Sequence, residues 1–119
     1  MLNPRPLGKG SIQKEELKKD RKECRKFGPC GVGKRAIYLN SFYFDRRFYV
    51  PFRSINRVFK RVAMSKGGFS GNGIFVSIPY LVVVYDGDKE KQCIFKYEKQ
   101  IDELLRYVRE KHPEIQTRM

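Results

Sequence analysis

Tryptophan is absent from this 119-residue chain, histidine occurs once and cysteine three times. The cysteines, Cys24, Cys30 and Cys93, are odd in number and have no CxxC spacing, so a disulfide framework is not expected and reduced thiols are. His112 stands beside a proline, where it cannot complete a zinc site with them. GxSxG and HExxH are also missing, so no residue announces nucleophilic or metal-assisted catalysis. The chain reads as a non-enzyme without cofactor or metal. Long apolar runs are lacking too: the longest, Ile78–Tyr85, is broken by Pro79 and is far too short to span a bilayer. The opening MLNPRPLGKG has no apolar h-region of the secretory kind. The expectation is a cytoplasmic protein, at most peripheral at a membrane.

Negative charge is scarce wherever positive charge is dense. Residues 1–35 hold eleven Lys/Arg against four Asp/Glu, and residues 36–70 hold seven against Asp45 alone. Residues 71–119 hold eight of each, so the whole net charge of +13 lies in the first seventy residues. Charge gathered on one side builds a field, and this one points to an anionic partner. What the chain does have is 40% hydrophobic residues and sixteen Phe and Tyr, enough for one compact domain.

Three stretches divide that domain: a basic arm over 1–27, a β-rich body over 28–113 and a short tail over 114–119. Pro4, Pro6, Gly8 and Gly10 read as a flexible lead-in. From Ser11, a plausible N-cap, acidic residues come first and basic ones last, as a helix dipole favours. Its apolar stripe of Ile12, Leu17, Cys24 and Phe27 is thin, which predicts a helix lying loosely on the domain. Gly28–Gly33 reads as a break. Beyond it, Phe42, Phe44, Phe48, Val50 and Phe52 alternate with Tyr43, Asp45, Arg47, Tyr49 and Arg53, so strands with one buried face are expected, turning at Asp45-Arg46-Arg47. Ser54–Met64 fits two templates: Ile55, Val58, Phe59 and Val62 suit a helix stripe and a strand equally. A glycine-rich loop follows at Lys66–Gly73, then a strand over Ile74–Tyr85 bent at Pro79, a turn at Asp86-Gly87-Asp88 and a return strand over Gln92–Tyr97. Ile101, Leu104, Leu105 and Val108 define a helix over Lys99–Lys111, ended by His112-Pro113.

Gly28-Pro29-Cys30-Gly31-Val32-Gly33-Lys34 matches the GxxxxGK core of a P-loop, but its surroundings do not. Arg35 stands where Ser or Thr would bind magnesium, a charged helix precedes it and a strand follows. Tight connections explain these glycines better. The stronger constellation is Arg46, Arg47, Arg53, Arg57, Lys60, Arg61 and Lys66, dense and nearly unbalanced, with Tyr43 and Tyr49 on the polar parity of Arg47 and Arg53. Arginines beside exposed tyrosines can hold phosphates and stack on bases or headgroups; the alternative is a solvated sheet face.

Val50-Pro51-Phe52-Arg53-Ser54-Ile55-Asn56-Arg57-Val58 resembles the bacterial pleckstrin-homology-like domains, and more distantly the GRAM domains. Val50, Pro51, Ile55 and Val58 reproduce an I-P-x-x-x-I-x-x-V phrase, and Ala36-Ile37-Tyr38-Leu39-Asn40 resembles the opening strand. The resemblance spans about residues 30–112 and implies a mainly β, α+β fold. In it a bent antiparallel sheet or small barrel carries a C-terminal amphipathic helix, here with an N-terminal charged helix added. It also implies that Ile55–Met64 is mostly strand. Two departures stand out. The family's module has seven strands and about six are countable here. The family's basic first-hairpin motif has no distinctive counterpart at Gly31–Arg35 or Asp45–Arg47. The fold binds peptides and proteins as well as lipids.

The function expected is a non-enzymatic binding module of this kind, contacting phospholipid headgroups or an acidic protein through its basic N-terminal half. A nucleic-acid-binding protein and a scaffold or assembly subunit are the alternatives. The sheet's share of the charge is the candidate site, and the arm's share is taken to tune solubility.

Overall fold

A computed structural model describes residues 4–41, 47–66 and 75–118, with the backbone alone for 65, 66, 75 and 76. Asp45, Arg46, Tyr43 and the loop at 67–74 lie outside the described residues, and with them the expected turn and glycine loop. The chain runs β1 (Arg5–Pro6), α1 (Lys14–Glu23), β2 (Arg25–Phe27), β3 (Cys30–Val32), β4 (Ala36–Leu39) and β5 (Phe48–Pro51). A 3-10 turn at Phe52–Ser54 leads to β6 (Ile55–Lys66), β7 (Phe75–Tyr85), β8 (Lys89–Ile94) and α2 (Glu98–Lys111).

The fold is α+β, with two sheets. One has the order β1-β5-β4-β3-β2, antiparallel except for β1, and the other is the antiparallel meander β6-β7-β8. Val50-Pro51 ends β5, and Ile55 and Val58 begin β6, so the I-P phrase turns the chain from one sheet into the other. Val50 and Val58 have no exposed surface. One core joins both sheets to α2: Val32, Ile37, Leu39 and Val50 from the first, Val58, Leu81, Val83 and Cys93 from the second, and Ile101, Leu104, Leu105 and Val108 from the helix. The helix packs against β2 of the first sheet and β6 and β7 of the second. His112 caps it, donating its N–H to the Val108 carbonyl at 2.7 Å, and its ring stacks on Phe52 at 3.6 Å.

The two-template segment is strand. Adjacent Val58 and Phe59 are both buried but on opposite faces, the first in the main core and the second with Val82 and Val84 outside it. Only the period of a strand does that. Pro79 sits in the middle of β7, paired with Val62, and accepts the Phe95 N–H at 3.1 Å just where β8 has ended at Ile94. The missing N–H falls on that side, past the end of the β8 ladder, so no ladder bond is lost.

The N-terminal segment departs from expectation. Its lead-in is pinned: β1 pairs with β5, and the Lys9 N–H donates to Asp86 at 2.8 Å. The helix starts at Lys14 with Gln13 as a cap that makes no side-chain bond, and the Ser11 carbonyl accepts from the Arg53 guanidinium instead. α1 covers the outer face of the larger sheet, where Leu17 packs on Ala36, Tyr38 and Tyr49. The break at Gly28–Gly33 holds a strand, β3, between two turns, and β2 precedes it. A boundary after residue 27 therefore cuts the β2–β3 hairpin. Three-residue strands among Gly and Pro leave no alternation to read. The tail is held as well, since Ile115 is buried and Val58 donates to the Gln116 carbonyl at 2.8 Å.

Candidate anion-binding site

The basic residues of β6 do not gather. Strand alternation sends Lys60 to the α2 side, where its ammonium lies 2.7 Å from Asp102 and 3.0 Å from Glu98. The hydrogen bonds that Lys60 donates, to Asp102 first and Glu98 second, raise its pKa. Arg57 and Arg61 go to the opposite face. Their guanidiniums sit 5.7 and 5.5 Å from the Phe59 ring centre, and Arg61 pairs with Glu90 at 3.2 Å. A helix would have put residues 57, 60 and 61 on one side; the strand separates them. Arg53 is exposed and bonded to Ser11, Lys66 is described only in its backbone, and Arg46 lies outside the described residues. Carboxylates of α2 and β8 are thus the partners of Lys60 and Arg61.

Tyr49, expected on an exposed polar face, is 3% exposed under α1, and its hydroxyl accepts the Ile12 N–H at 3.1 Å. It offers no stacking surface. The GxxxxGK run is split between two turns. Gly28, at φ +58°, turns β2 into β3, and Gly33 begins the turn into β4. At that second turn the buried carboxylate of Asp20, from α1, accepts the N–H groups of Lys34 at 2.8 Å and Arg35 at 3.2 Å, and the Tyr38 hydroxyl at 2.7 Å. A Cβ at Gly33 would stand 2.2 Å from that carboxylate. The N–H pair that resembled a phosphate cradle thus holds the protein's own anion.

A different set of cations does converge. Between α1 and the outer face of the larger sheet runs a cleft of about 1180 Å³. Lys14, Lys18, Arg21 and Lys22 of α1, Lys26 of β2 and Arg47 ahead of β5 line it, over a floor that includes Leu17, Tyr38 and Tyr49. No carboxylate is among its described lining residues. Lys14, Lys18 and Lys22 recur every fourth residue, so they follow one helix face at a rise of about 6 Å per step. Glu16 is drawn away to Arg35 at 3.2 Å. Asp20 and Leu17 fix the helix on the sheet, which places the basic row along the rim. Of the sequence-derived candidates, Arg47 alone lies here; the α1 cations belong to the arm, whose charge is left to solubility on the sequence alone. The spacing of Lys14, Lys18 and Lys22 was the signal available to find them.

The three cysteines are free thiols. Cys30 and Cys93 meet across the two sheets, where burial raises the Cys30 thiol well above its ordinary value. The Cys30 thiol donates to the Asn40 carbonyl at 3.3 Å. Among the described residues no His, Cys, Asp or Glu cluster could hold a metal, and no helix is long and apolar enough to cross a membrane. Neither a family model, nor a curated protein, nor a solved structure matches this chain.

Proposed function

We propose that this chain is a non-enzymatic binding module of pleckstrin-homology-like type, whose basic N-terminal half docks on anionic phospholipid headgroups through the α1 cleft. The observation that carries the reading is six Lys/Arg around one cleft with no described carboxylate among them. The order of elements supports the fold half of the proposal: a four-strand meander, β2 to β5, is followed by a three-strand meander and a closing helix. Each Lys or Arg near an anionic bilayer is worth about 1 kcal/mol, so four or five of the six suffice for docking.

The test is co-sedimentation with phosphatidylserine-containing vesicles and with neutral phosphatidylcholine vesicles at about 0.15 M salt. The protein is expected to pellet with the first alone. Lys18→Glu with Lys22→Glu should weaken binding at least about 30-fold, the equivalent of two lost contacts at this strength. Arg57→Ala, on the far sheet, should leave it unchanged. Folded protein that stays in the supernatant with anionic vesicles overturns the lipid reading and leaves an acidic protein as the partner to seek.

A further inference from the structure

We propose that the free edge of β6 is a self-association surface, to which a second copy of this chain adds its own β6 antiparallel. The product is one continuous six-stranded sheet. This inference is independent of lipid docking. β6 is an edge strand of twelve residues. The chain's own tail bridges that edge at Arg57, and Val58 donates outward to Gln116 at 2.8 Å. Because a strand alternates, the N–H and C=O groups of Lys60, Val62 and Met64 face the same outer side. Among the described residues no strand pairs with the edge beyond Arg57.

Proteins commonly guard such edges with lysine. Here Lys60 is drawn onto one face by Glu98 and Asp102, and Arg61 onto the other by Glu90, so both charges are already matched. An acidic strand would find its cations engaged. What projects past them is apolar: Val62 is 40% exposed and Met64 63%. A twofold axis at Val62 places that residue against its own copy, Lys60 against the partner's Met64 and Arg61 against the partner's Ala63. Axes at Lys60 or Arg61 would oppose like charges directly. The Val62 register thus sets apolar on apolar at its axis and opposes no two like charges, as an isologous contact requires.

Sedimentation equilibrium of the full chain, without lipid, from about 5 to about 300 µM tests this. Mass should rise toward twice the monomer. It should rise further at about 0.5 M salt, because two copies each carrying +13 repel and salt screens that repulsion. Val62→Lys with Met64→Lys, both at exposed positions, should weaken association at least tenfold while the circular dichroism spectrum is retained. Val62→Cys, treated with diamide as thiol oxidant, should give a disulfide-linked dimer that the wild-type chain, with its native cysteines, does not. Monomer mass throughout the range at both salt concentrations overturns the proposal. So does a lysine variant that associates as tightly as the wild type.

Discussion

Asp20 accepts three hydrogen bonds from groups fourteen to eighteen positions away, and its carboxylate is 6% exposed. A buried carboxylate is stable only when its oxygens are satisfied, and here two backbone N–H groups and a phenol satisfy them. Asp20→Ala is expected to cost about 2–4 kcal/mol in urea unfolding, because it leaves the Lys34 and Arg35 N–H groups without an acceptor and the Tyr38 hydroxyl with only the Leu17 carbonyl at 3.5 Å. Tyr38→Phe should cost about 1–2 kcal/mol, and the double variant less than the two together, since both remove one network. A loss below about 0.5 kcal/mol for Asp20→Ala would deny the carboxylate this role. The same contact sets an alkaline limit. Burial, then the bond and charge of Asp20, push the Tyr38 phenol far above its ordinary value. The folded chain therefore keeps a proton that the unfolded chain releases near pH 10. Stability is complete below that pH and falls above it by about 1.4 kcal/mol per unit. Cys30, also raised by burial, begins a similar decline near pH 8.5, so the Tyr38 share is the slope that Tyr38→Phe removes.

Two elements make opposite demands on sequence and energy. α2 is held by Ile101, Leu104 and Val108, none with exposed surface, and is tied to β6 by Lys60. Leu104→Ala should cost about 2–5 kcal/mol. Lys60→Met should cost less than about 1 kcal/mol despite its two carboxylates, because Glu98 and Asp102 are each about half exposed. Equal losses in the same urea series would contradict this ranking. The helix was legible because its apolar residues repeat at i, i+3, i+4 and i+7 with polar residues between. β6 was not, since Ile55, Val58, Phe59 and Val62 satisfy that template while the structure buries Val58 and Phe59 on opposite faces and leaves Val62 exposed. α1 was legible as a helix but not as a covering layer. One apolar residue, Leu17, and one acid, Asp20, fasten it, and an acid among lysines reads as surface. The cleft was illegible for the same reason: Lys14 and Arg47 meet only once α1 lies across the sheet.

At the scale of the molecule, the excess positive charge has three fates. On β6 it is matched by carboxylates of β8 and α2 or laid on Phe59; at Arg35 and Arg53 it ties the N-terminal segment down; and along α1 it lines a cleft. The first two fates bind the basic and the neutral parts of the sequence into one body. An arm separable from a domain over 28–113 would not behave so. Deleting residues 1–23 removes β1 and α1, uncovers Ala36, Tyr38 and Tyr49, and leaves the Lys34 and Arg35 N–H groups without Asp20. The shortened chain should lose its cooperative thermal transition or melt at least about 10 °C below the full chain, since each kcal/mol is worth about 4–8 °C in a domain of this size. The full chain should melt in one step by both far-UV circular dichroism and tyrosine fluorescence, because α1 shares its buried contacts with the sheet. A fragment melting sharply within about 4 °C of the full chain would instead make α1 an appendage. Its row of lysines would then be carried on a tether, free to reach a membrane without the sheet beneath it.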